Sequence, residues 1–424
     1  MRVGLAYGDG RLEVELPGDR TTVVSPKYPL ASPDAAEEVR RALRQPVSGL
    51  PLRNLVKPGQ SVAISVCDGT RPQPRRIVLP VILDELDGIV GLEDIVVLVA
   101  TGTHRGNTPG ELADMFGDEL LRAVSVVNHD ARDDASLVWM GRHGANVPVW
   151  LNRRWTEADI RITTGFVEPH FFAGFSGGPK MVAPGLAGLE TTLTLHDAAR
   201  IAHPSACWGV TEGNPIHDDV RAIAAATGVD FAVDVILDAD QRVVQAFGGE
   251  LLSMHAAACA TAKRVAMREL PARYDVVVTS NSGYPLDQNL YQAVKGMSAA
   301  AQVVKDGGTI ICAAECRDGF PDHGSYREEL TSQPSPQALL QSILERDSTV
   351  PDQWQIQIQA AIQTRARVVM HTSYLRDDEL AAAHLTQTAD IAATVEEALG
   401  SNGGRVCVLP EGPQTIPYVA ESGQ

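Results

Sequence analysis

The sequence predicts an α/β protein: two α/β domains on mostly parallel sheets. Three observations predict it. Short apolar runs such as SVAISV at 61–66 and DIVVLVA at 94–100 alternate with segments of helical periodicity, the order that generates βαβ units. These runs are continuously apolar, as strands buried on both faces require. The chain is 424 residues long, enough for two domains, and PARYD at 271–275 reads as the boundary. The expected domains are therefore 1–271 and 272–424.

The first twenty residues, RVGLAYGDG then RLEVELPG, read as a hairpin, and 35–44 as a helix. SVAISV ends at CDGTRP. Residues 75–88 follow as a helix with Ile77, Leu79, Val81, Ile82 and Leu86 on its apolar face. DIVVLVA ends at TGTHR; a helix over 109–122 begins with Pro109, a favoured first-turn residue. Strands follow at 123–129 and 158–164. A helix is expected over 186–202, another over 213–228 with an Asn-Pro start, a hairpin over 231–247 and an alanine-rich helix over 250–270. A second α/β unit opens at YDVVVTSNSG and continues through a helix at 287–304, the strand GGTIICAAEC, mostly helical residues 324–364, the strand RVVMHTSY, and a last helix and strand at 391–399 and 404–409.

Composition removes several function classes. The net charge is −17, a surface that repels nucleic acid and anionic lipid, so neither nucleic acid nor membrane is an expected partner. No apolar run reaches the ~20 residues a bilayer-spanning helix needs. The opening MRVGLAYGDGRLEVELP has no basic segment followed by an apolar stretch, so no secretory leader is expected. The six cysteines are scattered and read as reduced thiols of a cytoplasmic protein.

The chemistry concentrates in residues 162–196, where His170, Lys180 and His196 share a stretch holding five glycines between Gly165 and Gly185. Taken singly, each candidate also has an ordinary reading. GFSGGPKM at 174–181 approaches a phosphate-binding loop, but Pro179 and Met181 stand where glycine and Ser or Thr are required. A lysine in such a loop can instead be a covalent anchor, an anion-binding group, or a solvent-exposed side chain. Asp68, His104 and His170 each lie just past a predicted strand, and ligands of parallel sheets bind beyond the strands' carboxyl ends. Histidine is the natural acid/base near neutral pH and a common metal ligand, although no spacing of a protein-only metal cage is present. Asp68 could hold a histidine, accept from a ribose, or cap its own turn. Arg71 could clamp a carboxylate or phosphate. Gln292 and Lys295 share a helix face at i, i+3, suited to a small anion or simply to solvent.

Together and in order, CDGTRP at 67–72, ATGTHR at 100–105, GFVEPHFFAGFSGGPKMVAPGLAG at 165–188, His196, GNPIHDD at 213–219 and YPLDQNLYQAVKG at 284–296 closely resemble the nickel-dependent lactate racemase family, over nearly the whole chain. The resemblance implies two α/β domains with the active site in the interdomain cleft. It implies a nickel-pincer nucleotide cofactor, a pyridinium mononucleotide bearing a thioamide and a thiocarboxylate. Lys180 would carry the covalent link and His196 would ligate nickel. His104 and His170 match the family's acid/base pair, Asp68 a cofactor contact, and Arg71, Gln292 and Lys295 its substrate-binding residues. The implied reaction inverts C2 of a 2-hydroxy acid by reversible hydride transfer through a 2-keto acid, with cofactor-biosynthesis proteins as loading partners. Lactate is one of several substrates such a family handles. A protein that binds the hydroxy acid or cofactor without turnover is the alternative.

Overall fold

The computed structural model describes residues 1–321, 324–400 and 403–420. The chain forms two compact units, one of Tyr28–His196 and His203–Val265, the other of Met1–Lys27, Asp197–Ala202 and Ala266–Gln424.

The first unit holds a six-stranded sheet in the order Val243–Gly249, Phe231–Leu237, Ile160–Phe166, Val62–Cys67, Ile95–Ala100, Ser125–Asn128. All pairs are parallel except the Phe231–Val243 hairpin. Every residue of Val62–Cys67 is buried. Its neighbours set the register: Ile64 faces Val97 on one side and Ile162 on the other. One apolar layer packs Val39, Leu43, Val78, Leu79 and Ile82 from two helices against this sheet. The opposite layer uses Val220, Ile223, Met254 and Ala258. Chain order reverses between Val62–Cys67 and Ile160–Phe166, so the loops leaving these two strands diverge and open a crevice at the carboxyl edge.

The second unit is also a six-stranded sheet, Thr386–Gln387, Arg367–His371, Val304–Ala313, Tyr274–Ser280, Val406–Leu409, Thr21–Val23, parallel throughout. The chain's first strands fold with it: the Arg2–Tyr7 and Gly10–Glu15 hairpin packs Val3, Leu5 and Val14 into the core of Val276, Val278 and Val408.

Several elements depart from their sequence reading, each for a local reason. The helix expected over 109–122 breaks into Pro109–Phe116 and Asp118–Ala123 at Gly117, whose φ is +80°. The helix expected over 186–202 is Leu189–Leu195, ended at His196, and a separate Ala198–Ala202. The alanine-rich helix stops at Ala266, and Met267–Leu270 becomes a strand paired with Ile416–Val419. The helix expected at 287–304 is Leu290–Ala301, capped by Asn289. No sequence reading covered the Leu137–His143 and Val147–Asn152 hairpin.

Candidate active site

Parallel pairing carries the residues after Cys67, Ala100 and Phe166 to one edge of the first sheet. Asp68 follows directly. A ring of bonds fixes its turn: Cys67 N–H donates to Gln73 Oε1 (2.8 Å), Gln73 Nε2 to Thr164 Oγ1 (2.8 Å), and Arg75 Nε to the Cys67 carbonyl (2.9 Å). A further guanidinium N–H of Arg75, itself buried, holds the Asp68 carbonyl.

Asp68 is only 4% exposed, and its Oδ2 lies 2.7 Å from Nδ1 of His104. Its Oδ1 accepts from Thr70 Oγ1 at 2.6 Å. Burial alone would raise this carboxyl; the His104 and Thr70 hydrogen bonds and the Arg71 charge outweigh it and hold the group at about 2. An ionised carboxylate facing Nδ1 makes that nitrogen the protonated one, which puts the His104 lone pair on Nε2. The His104 side chain is 43% exposed. Arg71 Nη1 donates to Thr70 Oγ1 at 3.1 Å, keeping the guanidinium beside this pair.

His170 sits in the two-residue strand Pro169–His170, bridged antiparallel to Gly174–Phe175. Its ring lies edge-on to Phe172 with centroids 4.5 Å apart. The Ala173 N–H points at its Nδ1 at 3.3 Å. The Phe172 ring also meets His196 edge-on, 5.2 Å between centroids, and lies 5.8 Å from Lys180 Nζ. One buried phenyl thus gathers His170, His196 and Lys180. His196 caps the Leu189–Leu195 helix, and its Nδ1 lies 2.7 Å from the Thr192 carbonyl. A carbonyl only accepts, so Nδ1 carries the proton and Nε2 the lone pair, the form in which imidazole binds metal.

Lys180 stands on a 3₁₀ turn, Gly178–Met181, entered through Gly177 (φ +70°) and Gly178 (φ +51°). The Gly178 N–H donates to Asp234 Oδ2 at 2.6 Å. A buried carboxylate therefore takes the amide that a phosphate loop would offer its ligand, which removes that reading. Burial pushes Asp234 up to about 7. Beneath the same loop, His255 Nε2 meets the Ser176 carbonyl at 2.9 Å and stacks on His217 at 5.6 Å. Burial lowers His255 to about 3 and His217 to about 4, so both are neutral at physiological pH. The turns of His104 and Lys180 are joined: Gly102 N–H donates to the Gly185 carbonyl and Gly185 N–H to the Lys180 carbonyl, both at 3.0 Å.

Asp68, Arg71, His104, His170, Lys180 and His196 thus all lie in the first unit. Gln292 and Lys295 lie in the second, on one face of the Leu290–Ala301 helix, where Lys295 Nζ donates to Gln292 Oε1 at 2.8 Å. Sequence reasoning missed Arg75, Asp234 and His255, and assigned no role to His217 within GNPIHDD. The signal for Asp234 was present: a lone acid inside the apolar strand FAVDVIL.

Residues 7–209 match the lactate racemase N-terminal domain and residues 270–416 the lactate racemase C-terminal domain. The chain is 37% identical over 422 residues to a lactate racemase of Thermoanaerobacterium thermosaccharolyticum, 98% of each chain. It is 35% identical over 381 residues, 89% of each, to a lactate racemase of Lactiplantibacillus plantarum. The structure of the T. thermosaccharolyticum lactate racemase apoprotein superposes with a TM-score of 0.92 at 34% identity, covering 99% of this chain and 100% of that one. A Thermotoga maritima protein shares the fold with a TM-score of 0.68 at 19% identity, covering 92% of this chain and 100% of that one. The chain belongs to the lactate racemase family. It is accordingly an isomerase, an enzyme of the racemase class.

Proposed function

We propose that this protein racemises lactate, or a closely related 2-hydroxy acid, through a 2-keto acid, using a nickel-pincer nucleotide carried on Lys180. The observation that carries the reading is the set of oriented bases: His104 locked by Asp68 at 2.7 Å, with His170, His196 and Lys180 gathered around Phe172.

The residues fit the cofactor. Among the described residues, no three His, Cys, Asp or Glu side chains converge on a metal site. A single imidazole with its lone pair on Nε2, His196, suits a metal whose remaining ligands come from an organic group. Lys180 supplies a primary amine within the same aromatic cluster. Asp68 is a further cofactor contact by resemblance, and its carboxylate is engaged by His104 and Thr70. When bound, the pincer nucleotide supplies the reversible acceptor for the hydride on C2.

The protein's part is proton handling and orientation. His104 Nε2 takes the substrate hydroxyl proton, and Asp68 stabilises the imidazolium that forms. His170 handles the other enantiomer, its Nε2 giving a proton to the hydroxyl oxygen as that enantiomer forms and recovering it in the reverse direction. A two-way reaction needs both, because each base must reappear as the acid of the reverse step. Arg71, Gln292 and Lys295 bind the carboxylate and hydroxyl so that the planar keto acid is retained while it turns. Proteins of a cofactor-synthesis route load the lysine, in the cytoplasm. Among the described residues no helix is long and apolar enough to cross a membrane.

Intact-protein mass spectrometry with metal analysis, on chain co-expressed with the pincer-cofactor route, tests this. A mass increment mapping to Lys180, with about one nickel per chain, is expected. Lys180→Ala removes the increment; His196→Ala keeps the increment and loses nickel. An unmodified, nickel-free chain from a host that loads a related racemase overturns the reading and favours a binder without turnover.

A further inference from the structure

The sequence GNPIHDD at 213–219 has no role in the chemistry above, yet its side chains end on the segment that carries His170. Asn214 is fully buried and uses both halves of its amide. Its Oδ1 accepts from the N–H groups of Ile216 (3.1 Å) and His217 (3.3 Å), capping the Pro215–Thr227 helix. Its Nδ2 donates to the carbonyls of Phe172 (2.9 Å) and Val210 (3.0 Å). Helix capping needs only the acceptor; serine or aspartate does it equally well. The donor half is a separate function.

The Phe172 carbonyl and the Ala173 N–H belong to one peptide plane. In a trans peptide they point in opposite directions. By holding that carbonyl, Asn214 aims the Ala173 N–H, and the group it meets is His170 Nδ1 at 3.3 Å. His217 braces the next peptide, its Nδ1 meeting the Ala173 carbonyl at 3.1 Å. Its ring is neutral and backed by the stacked His255. Gly209 N–H adds a bond to the Gly174 carbonyl at 3.0 Å. A Cβ at Gly174 would lie 2.1 Å from the Val210 carbonyl oxygen, so the two segments touch backbone to backbone.

We infer that Asn214 and His217 are positioning residues: through the Phe172–Ala173 peptide they fix the ring and tautomer of His170, giving it a proton on Nε2 while His104 presents a lone pair there. The inference rests on the acid/base reading of His170 for its functional consequence, but its structural content stands alone. A backbone donor at Nδ1 selects the Nε2–H form of a neutral imidazole, and a chain of hydrogen bonds through a peptide strengthens each member.

The test is nitrogen-shift NMR of selectively labelled histidine in the full-length chain, with the His170 signal assigned by its loss in His170→Asn. Asn214→Ser keeps the cap and removes the clamp. His217→Leu leaves Asn214 in place and is the second variant should the first not fold. Ile223→Val, buried on the same helix, is the control for general loosening. Expected are a single Nε2–H tautomer for His170 in the parent and in Ile223→Val, and a mixture of tautomers in the clamp variants, with the His104 signal unmoved. In cofactor-loaded protein, Asn214→Ser lowers kcat about 10- to 100-fold with KM little changed, the cost of a misplaced catalytic group. A His170 tautomer unchanged in a folded clamp variant overturns the inference. Failure of the racemase reading looks different: loaded parent protein inverts no hydroxy acid while the tautomer shift persists.

Discussion

Replacing Asp68 with asparagine isolates the work of one carboxylate. Shape and burial are retained; the charge is not. Holding the Asp68 carboxyl at about 2 against an ordinary 3.8 corresponds to roughly 2 kcal/mol of stability at neutral pH. His104 is 43% exposed, so water screens part of this and about 1–2 kcal/mol is the expected loss. The depressed group contributes stability above pH 3.8 and loses it as pH falls towards 2, so the parent and Asp68→Asn should converge in acid. The catalytic effect is larger. Thr70 Oγ1 donates to one side-chain oxygen of residue 68, so the asparagine keeps its carbonyl there and turns its NH₂ towards His104. The imidazole then accepts at Nδ1 and carries its proton on Nε2, which is no longer a base. A wrong tautomer behind intact geometry costs about 10²- to 10⁴-fold in turnover. The assay is chiral chromatography of single-enantiomer lactate with loaded protein, alongside denaturant unfolding from pH 2 to 7. Near-parental turnover in Asp68→Asn would refute the role given to this pair.

Other parts of the site make distinct predictions. His217 and His255 are buried neutral with values of about 4 and 3, whereas Asp234 sits near 7. Between pH 4 and 6.5 the unfolded chain gains two histidine protons that the folded chain does not, and the folded chain holds one carboxyl proton that the unfolded chain lacks. The difference favours unfolding in acid, so the melting temperature should fall from pH 7 to pH 4.5, and His255→Gln should flatten that slope. Gly178→Ala places a Cβ 2.4 Å from the His255 ring at φ +51° and should cost about 2–4 kcal/mol in denaturant unfolding. Lys295→Met removes the amine that pairs with Gln292; KM for lactate should rise at least about tenfold while the Lys180 mass increment is unchanged.

The sheet edge that carries the candidate site was readable because parallel sheets obey a simple rule. A buried strand ends, its loop faces the crevice, and Asp68, His104 and His170 were the polar residues found there. The long motif around Lys180 was equally plain in composition. The support beneath was not. Asp234, His217 and His255 act on the Lys180 and His170 loops from 44 to 79 positions away in sequence, and no local periodicity encodes such contacts. The same holds for Thr21–Val23, three residues that become a strand only by pairing with Val406–Val408, and for Met267–Leu270, whose local reading is helical until Ile416–Val419 offers a strand partner. Helix breaks at Gly117 and His196 interrupt runs whose spacing continues through them, so periodicity alone joins each pair of short helices into one.

The central claim is that these oriented groups invert a 2-hydroxy acid. The most direct measurement is a chiral time course on enantiopure lactate with protein verified to carry the Lys180 adduct and nickel. The account predicts decay to equal amounts of both enantiomers from either starting isomer, abolished in His104→Ala and His170→Ala protein that retains the adduct. A loaded parent protein that leaves both enantiomers of lactate and of related 2-hydroxy acids unchanged would contradict it.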